Sequence, residues 1–307
     1  MSLANLPPVA PARDYLDAVA RFAALAGRET EIISSAGRSR FYGHGERTRD
    51  AIVLIHGFTN CPQQWVPFAE SLHALGRTVL IPRLPGHGYF NRRTHALAHV
   101  SGERLLSTVN EAVDIACGAA ERVTVAGLSI GGTIAPWIAL NRADVEHAVA
   151  IVPFFAVRHF DSAGTVRLAR ALLTLPNAFV PWDPFGDGAG IPSYGYPRFA
   201  TRMLGESLDI ANEVAAIARK RHPIGREFFG RTTFVLNGHE PACNNDVTIL
   251  VQEHLERSRP GTTRRIDWND LPANHDIIDP TNPKARTGLV YPRLLDILTR
   301  EREAEGR

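Results

Sequence analysis

Five residues near the middle of the chain have the types and spacing of a nucleophile held on a tight turn: Gly127-Leu128-Ser129-Ile130-Gly131. The β-branched run before them, residues 122–126, reads as a buried strand, and a helix begins near Ile130. A serine on a sharp strand-to-helix turn stands clear of the backbone, but the strained turn brings neighbouring chain close. Gly127 and Gly131 sit two residues either side of Ser129 and have no Cβ to clash. The N-terminus of the following helix favours negative charge beside the hydroxyl. Any strand–glycine–helix connection can contain a serine, so the partners elsewhere in the chain decide what Ser129 does.

A serine nucleophile needs a base within hydrogen-bond reach, and the base needs an orienting carboxylate. The best base is His275, in the loop Leu271-Pro272-Ala273-Asn274-His275-Asp276 that follows the last strand. The favoured acid is Glu240, in Asn237-Gly238-His239-Glu240-Pro241, which sits at a strand's carboxyl end ahead of the histidine, in the order Ser…Asp/Glu…His. Asp246 is the rival, although Asn245 and Asp246 open a helix, where an acid ordinarily caps or offsets the dipole. Asp161 is the next to consider. The developing oxyanion requires two backbone N–H groups. Ile130, just after the nucleophile, offers one, and Phe58, in the loop after the apolar run 51–55, fits the other.

The elements that must position these residues alternate. Strands are expected at 51–55, 78–81, 122–126, 148–152, 232–236 and 264–268. Helices are expected at 13–26, from about 63, 101–116, from 130, 161–174, 202–220, 246–255 and 291–300, the last with Pro292 at its start. Residues 29–34 and 39–43 read as two short strands of a hairpin around Ala36-Gly37, with 45–50 as a polar loop. The run Ala51-Ile52-Val53-Leu54-Ile55 is apolar without alternation, as in a parallel strand buried on both faces. Strands alternating with helices imply an α/β fold with a mostly parallel sheet, whose sites gather at the carboxyl ends of the strands. The alternation breaks over residues 153–231, which are dense in proline, glycine and aromatics. That stretch reads as a cap inserted between core segments 1–152 and 232–307, with 1–28 as an N-terminal tail and helix. Phe154, Phe155, Trp182 and Phe185 are candidates for an acyl pocket, with packing within the cap as the competing explanation. Pro136, inside the nucleophile helix, should bend or restrict it.

Composition narrows the class. The 307 residues are 44% hydrophobic and 21% charged, enough for a large core, and a net charge of +2 gives no global pull toward nucleic acid or anionic membrane. Three widely spaced cysteines imply no disulfide framework, and a reducing, cytoplasmic setting fits. Arg13 and Asp14 stand where a signal peptide needs its apolar core, and no run reaches the ~20 apolar residues of a membrane span. His95 and His99 could share a helix face, but two histidines without a third ligand make a poor zinc site.

With His56-Gly57-Phe58-Thr59, Pro62-Gln63, Pro85-Gly86-His87-Gly88, the elbow and the late His275-Asp276 in this order, the chain resembles the α/β-hydrolases. Within them it is similar to bacterial esterases and lipases, monoacylglycerol lipases and small carboxylesterases among them. The resemblance runs from Ala51 to the C-terminus and is weakest over 153–231. It implies an α/β-hydrolase fold with a cap over the site, Ser129 as nucleophile, His275 as base, and Phe58 and Ile130 as oxyanion donors. The acid slot departs from the pattern, holding Glu240 where the group usually has Asp. The expected activity is hydrolysis of a small-molecule carboxylic ester with an apolar acyl group, needing neither metal nor organic cofactor. A thioesterase, acyltransferase, amidase or C–C hydrolase could use the same residues. A non-catalytic binding protein on this fold is the alternative from another class.

Overall fold

The computed structural model describes residues 7–183, 191–220 and 230–299. The chain opens with helix α1, Tyr15–Gly27, capped by the Asp14 carboxylate, which accepts from the Asp17 N–H. Strands β1 (Arg40–Tyr42), β2 (Thr48–Ile55) and β3 (Thr78–Ile81) follow, with helix α2 (Val66–Ala74) between the last two. Helix α3 (Gly102–Ala119) begins at Ser101, whose hydroxyl accepts from the Arg104 N–H as an N-cap should. Next come β4 (Ala120–Leu128), α4 (Ile130–Asn141) and β5 (Val145–Ile151). An excursion then carries α5 (Ser162–Thr174), the antiparallel pair β6 (Phe179–Pro181) and β7 (Arg198–Ala200), and α6 (Thr201–Arg219). The chain returns through β8 (Arg231–Asn237), α7 (Asn245–Ser258), β9 (Thr263–Trp268) and α8 (Thr287–Thr299).

Seven strands form the main sheet in the order β1-β3-β2-β4-β5-β8-β9. All neighbours run parallel except β1, which pairs antiparallel with β3 at the edge. The unbroken apolar run in β2 explains itself in this sheet. Ala51, Val53 and Ile55 enter the core shared with α1, α3, α4, α6 and α7, while Ile52 and Leu54 enter the core shared with α2 and α8. A strand at the centre of a parallel sheet has no solvent face, so alternation between apolar and polar has no use there. The parallel order also puts the carboxyl ends of β2, β3, β4, β5, β8 and β9 on one edge, where the loops that follow them meet.

Several expectations need correction. Residues 29–34 form no strand; Ile33 makes an isolated bridge to Tyr89. The hairpin around Ala36-Gly37 is absent, because β1 finds its partner in β3 instead. A three-residue edge strand gains more from an existing sheet than from a two-stranded ribbon. β2 starts at Thr48, inside the expected polar loop. Helix α8 starts at Thr287, so Pro292 stands within it rather than at its start. As expected, Pro136 lies inside helix α4, which runs on to Asn141. His95 precedes and His99 ends a 3-10 turn rather than an α-helix, so the i, i+4 face does not form, and His95 packs on the Phe179 ring at 4.8 Å.

The glycines around the elbow are set by contact distances. A Cβ on Gly131 would lie 2.3 Å from the Ile55 carbonyl oxygen, and one on Gly127 would lie 2.3 Å from the Gly131 carbonyl carbon. Both obstacles are backbone, which cannot swing aside. Gly131→Ala should therefore cost more than about 2 kcal/mol or prevent soluble folding. A Cβ on Gly27, at the end of α1, would meet nothing within 4 Å, so Gly27→Ala should be neutral or stabilise by up to about 1 kcal/mol. Urea midpoints of the two variants test the contrast.

Candidate active site

Ser129 joins β4 to α4 with φ 58° and ψ −117°, a conformation that costs a non-glycine residue about 1–3 kcal/mol. Three backbone bonds hold it there. Its N–H donates to Ile151 O at 3.0 Å, and its C=O accepts from Thr133 N at 3.0 Å and Phe154 N at 3.1 Å. The Thr133 hydroxyl donates to Phe154 O at 2.8 Å, closing the loop after β5 onto the elbow. That loop is itself bent by Val152, a β-branched residue at φ 42°. Ser129 precedes α4 yet makes no side-chain capping bond, so its hydroxyl is not spent on the helix.

Glu240 and His275 come together. His275 Nδ1 lies 2.9 Å from Glu240 Oε1, which also accepts from the N–H groups of Ala242 at 2.7 Å and Cys243 at 3.0 Å. These donors fix the carboxylate, and the carboxylate fixes the imidazole with Nδ1 as its donor. Asn237, the last residue of β8, sets both loops. Its Nδ2 donates to Pro272 O at 3.0 Å and Asn274 O at 2.8 Å, and its backbone oxygen accepts from Glu240 N at 3.1 Å. Burial works against a charged His275, but Cys243 and Glu240 outweigh it and lift the pKa well above 6.5. Burial also pushes the Cys243 thiol up. Among the described residues, Ser129 Oγ makes no hydrogen bond to His275. Such contacts are commonly long before substrate binds and tighten in the complex.

Two buried histidines shape the loop after β2. His56 Nδ1 donates to Gly57 O at 3.0 Å, and its Nε2 accepts from Leu84 N at 3.1 Å. His87 Nδ1 donates to Pro85 O at 2.9 Å, and its Nε2 accepts from Thr59 N at 3.3 Å. Each ring uses one nitrogen as donor and the other as acceptor, which only a neutral imidazole can do. Burial pushes both pKa values down, that of His87 to about 4. The consequence falls on Phe58. The Gly57 carbonyl is held by His56 and by Asn60 N at 3.2 Å. Because a peptide is planar and trans, the Phe58 N–H must point the opposite way. The N–H groups on either side are taken, Gly57 by Gln64 Oε1 at 2.7 Å and Thr59 by His87. Among the described residues, none accepts from Phe58 N, and Ile130 N, at the first position of α4, has no carbonyl one turn back within the helix.

The remaining sequence candidates scatter. Asp246 is exposed in the first turn of α7, where an acid offsets the dipole, and the cap itself is the Asn244 side chain. Asp161 caps α5 by accepting from Gly164 N. Phe155 is buried in the main core with its ring 6.3 Å from that of Phe234, and Phe154 is half-buried beside the elbow. Trp182 is 44% exposed; its Nε1 donates to Thr59 Oγ1 at 2.8 Å and its ring meets Phe58 edge-on at 5.8 Å. Phe185 lies outside the described residues. Asn237 and Gln64 were not singled out from the sequence. An asparagine at a strand end and a glutamine in a turn carry no pattern that separates hub from surface. Among the described residues, Glu240, Cys243 and His275 offer three possible metal ligands within 4.8 Å of one another. A metal there would take the nitrogen that now bonds Glu240.

A model of the alpha/beta hydrolase family matches residues 52–298, and the chain belongs to that family. A thermostable monoacylglycerol lipase of Bacillus sp. (strain H-257) is 32% identical over 118 residues, covering 38% of this chain and 44% of that protein. The match thus spans less than half of that relative. A soluble variant of monoglyceride lipase from Saccharomyces cerevisiae, in complex with a substrate analogue, superposes with a TM-score of 0.66 at 13% identity, covering 86% of this chain and 91% of that one. The monoacylglycerol lipase of Paleococcus ferrophilus gives 0.63 at 17% identity over 85% and 97% of the two chains. At these identities the structural likeness shows the fold. Among the described residues, no helix is long and apolar enough to cross a membrane.

The neutral histidines make stability depend on pH. A histidine whose pKa is lowered by folding binds more protons in the unfolded chain. Its contribution is complete above 6.5 and is lost as pH falls toward the folded value. For His87, with 6.5 falling to about 4, the loss between pH 7 and pH 5 should be about 2 kcal/mol. His275, raised rather than lowered, contributes in the opposite sense, with stability that is complete below 6.5 and lost as pH rises above it. Urea unfolding at pH 7 and pH 5 should show the loss, and His87→Asn, whose side chain does not titrate, should reduce it.

Proposed function

We propose that the protein is a serine hydrolase of carboxylic esters, close in chemistry to the monoacylglycerol lipases it is similar to. The observation that carries this is the Glu240–His275 hydrogen bond on the sheet edge that also holds Ser129 in its strained turn. His275 Nε2 takes the Ser129 hydroxyl proton as Oγ attacks the ester carbonyl. The Phe58 and Ile130 N–H groups receive the oxyanion. The tetrahedral adduct collapses, breaking the bond to the alcohol, and His275 returns the proton to the departing oxygen. Water then attacks the acyl-enzyme with His275 again as base, releasing the carboxylic acid and regenerating Ser129. Glu240 holds the tautomer and offsets the charge of the imidazolium formed in each step.

In this reading residues 153–231 are a cap, with Trp182 and Phe154 at its acyl pocket and Phe185 a further candidate there. Trp182 supports this by touching Phe58, the oxyanion residue, while nearly half of its surface stays open to solvent.

Ser129→Ala should abolish hydrolysis of p-nitrophenyl butyrate with an unchanged circular dichroism spectrum; turnover at the wild-type rate would remove the mechanism. The base must be neutral to act, so kcat/KM should rise with pH through a midpoint above 6.5. Glu240→Gln should lower kcat by as much as about 10⁴-fold. It should also move the midpoint to lower pH, because one of the two groups that raise the His275 pKa, Cys243 and Glu240, loses its charge. Asp246→Asn should leave both unchanged. Trp182→Ala should shift the optimum in a series of p-nitrophenyl esters of graded acyl length more than it lowers the unfolding midpoint. An unchanged profile would return Trp182 to packing.

A further inference from the structure

Gln64 and Asp276 are remote in sequence and absent from the mechanism, yet they connect its two halves. Gln64 is 1% exposed and stands in the 3-10 turn Pro62–Trp65 after the oxyanion loop. Its Oε1 accepts from the Gly57 N–H at 2.7 Å, and its Nε2 donates to Asp276 Oδ2 at 2.7 Å. Asp276 directly follows His275. Its Oδ1 accepts from Ile278 N at 3.2 Å and Asp279 N at 3.1 Å, and its Oδ2 also accepts from Asn60 Nδ2 at 3.3 Å.

We propose that Gln64 and Asp276 are positioning residues, a polar strut that holds the His275 loop in register with the loop presenting the Phe58 N–H. This rests on the reading of His275 as base and Phe58 as oxyanion donor. The strut has a direction. Gly57 N–H can only donate, so the amide oxygen of Gln64 must face it and the amide nitrogen must face Asp276. That nitrogen needs an acceptor, and the Asp276 oxygen turned toward it supplies one while the other oxygen caps two backbone N–H groups. An amide at position 276 breaks the chain of bonds, because a donor then faces a donor. The base moves a proton between Ser129 and the leaving oxygen while the N–H receives the oxyanion. A change in their separation therefore weakens the transition state more than the bound substrate.

The polarity gives a reversal test. In Asp276→Asn the amide oxygen stays on the two backbone donors, and its NH₂ opposes the Gln64 NH₂. In Gln64→Glu a carboxylate opposes the Asp276 carboxylate. In the double variant the bonds from Gly57 through position 64 to position 276 form again in the opposite sense, and Asn60 Nδ2 alone loses its acceptor. The carboxylate introduced at position 64 accepts from Gly57 N–H with one oxygen and from the amide NH₂ introduced at position 276 with the other. The net charge is that of the native protein. Kinetics on p-nitrophenyl butyrate are measured per active site titrated with a fluorophosphonate. Each single variant should lose about tenfold in kcat with KM within about twofold, and the double should return to within about threefold of wild type. Gln64→Met, which breaks the strut without burying a charge, should lose kcat to the same degree and serves if a single variant does not fold. Wild-type kcat per titrated site in Gln64→Met, or a double variant whose loss is the product of the single losses, would overturn the proposal. A native protein that takes up no fluorophosphonate would instead overturn the underlying assignment of Ser129.

Discussion

The close approach of helix α4 to the end of β2, with Gly131 against the Ile55 carbonyl, governs the rest of the site. It leaves room for backbone only, and it forces Ser129 into a conformation that a non-glycine residue adopts at a cost. A strained residue persists only when its surroundings over-determine it. Here they do: the Ser129 N–H is held by β5, and its carbonyl by Thr133 and by Phe154 from the loop after β5. The parallel sheet is what makes this possible, because it delivers the ends of β2, β4 and β5 side by side.

The loops around the elbow are tied together by buried polar groups as well as by apolar packing. His56 and His87 join the loop after β2 to the loop after β3, and Asn237 joins the Glu240 loop to the His275 loop. Every one of these bonds has a fixed donor and a fixed acceptor, so each admits one arrangement. Apolar contacts would allow the loops to slide by fractions of an ångström at little cost, while a missing buried hydrogen bond costs about 1–3 kcal/mol. The segment between β5 and β8 is fastened to the same loops. Tyr196 donates its hydroxyl to Gly86 O at 2.9 Å and its N–H to Thr59 O at 2.8 Å.

Much of this was legible in the sequence, for physical reasons that differ by element. The central strands were plain because a strand buried on both faces must be apolar throughout. The elbow was plain because its glycines are needed by contact, although Gly132, whose Cβ would lie 2.9 Å from two carbonyl oxygens, escaped notice. Glu240, at a strand end, lies with its Oε1 2.9 Å from His275 Nδ1, while Asp246 is exposed in the first turn of α7. The edge of the sheet was misread. β1 is short and its pairing with β3 is non-local, so local turn signals at Ala36-Gly37 pointed to a hairpin that does not form. The polar ties were invisible for a related reason. What makes Gln64 or Asn237 a hub is the set of backbone groups around it, and those come from distant parts of the chain.

The central claim is that the strained serine is the nucleophile. Reaction with a fluorophosphonate, followed by intact-mass measurement and peptide mapping, tests it most directly. The account predicts one adduct per chain, located on Ser129, slowed severely by Glu240→Gln and absent from Ser129→Ala. An adduct on another residue, or equal labelling of Ser129→Ala, would contradict it.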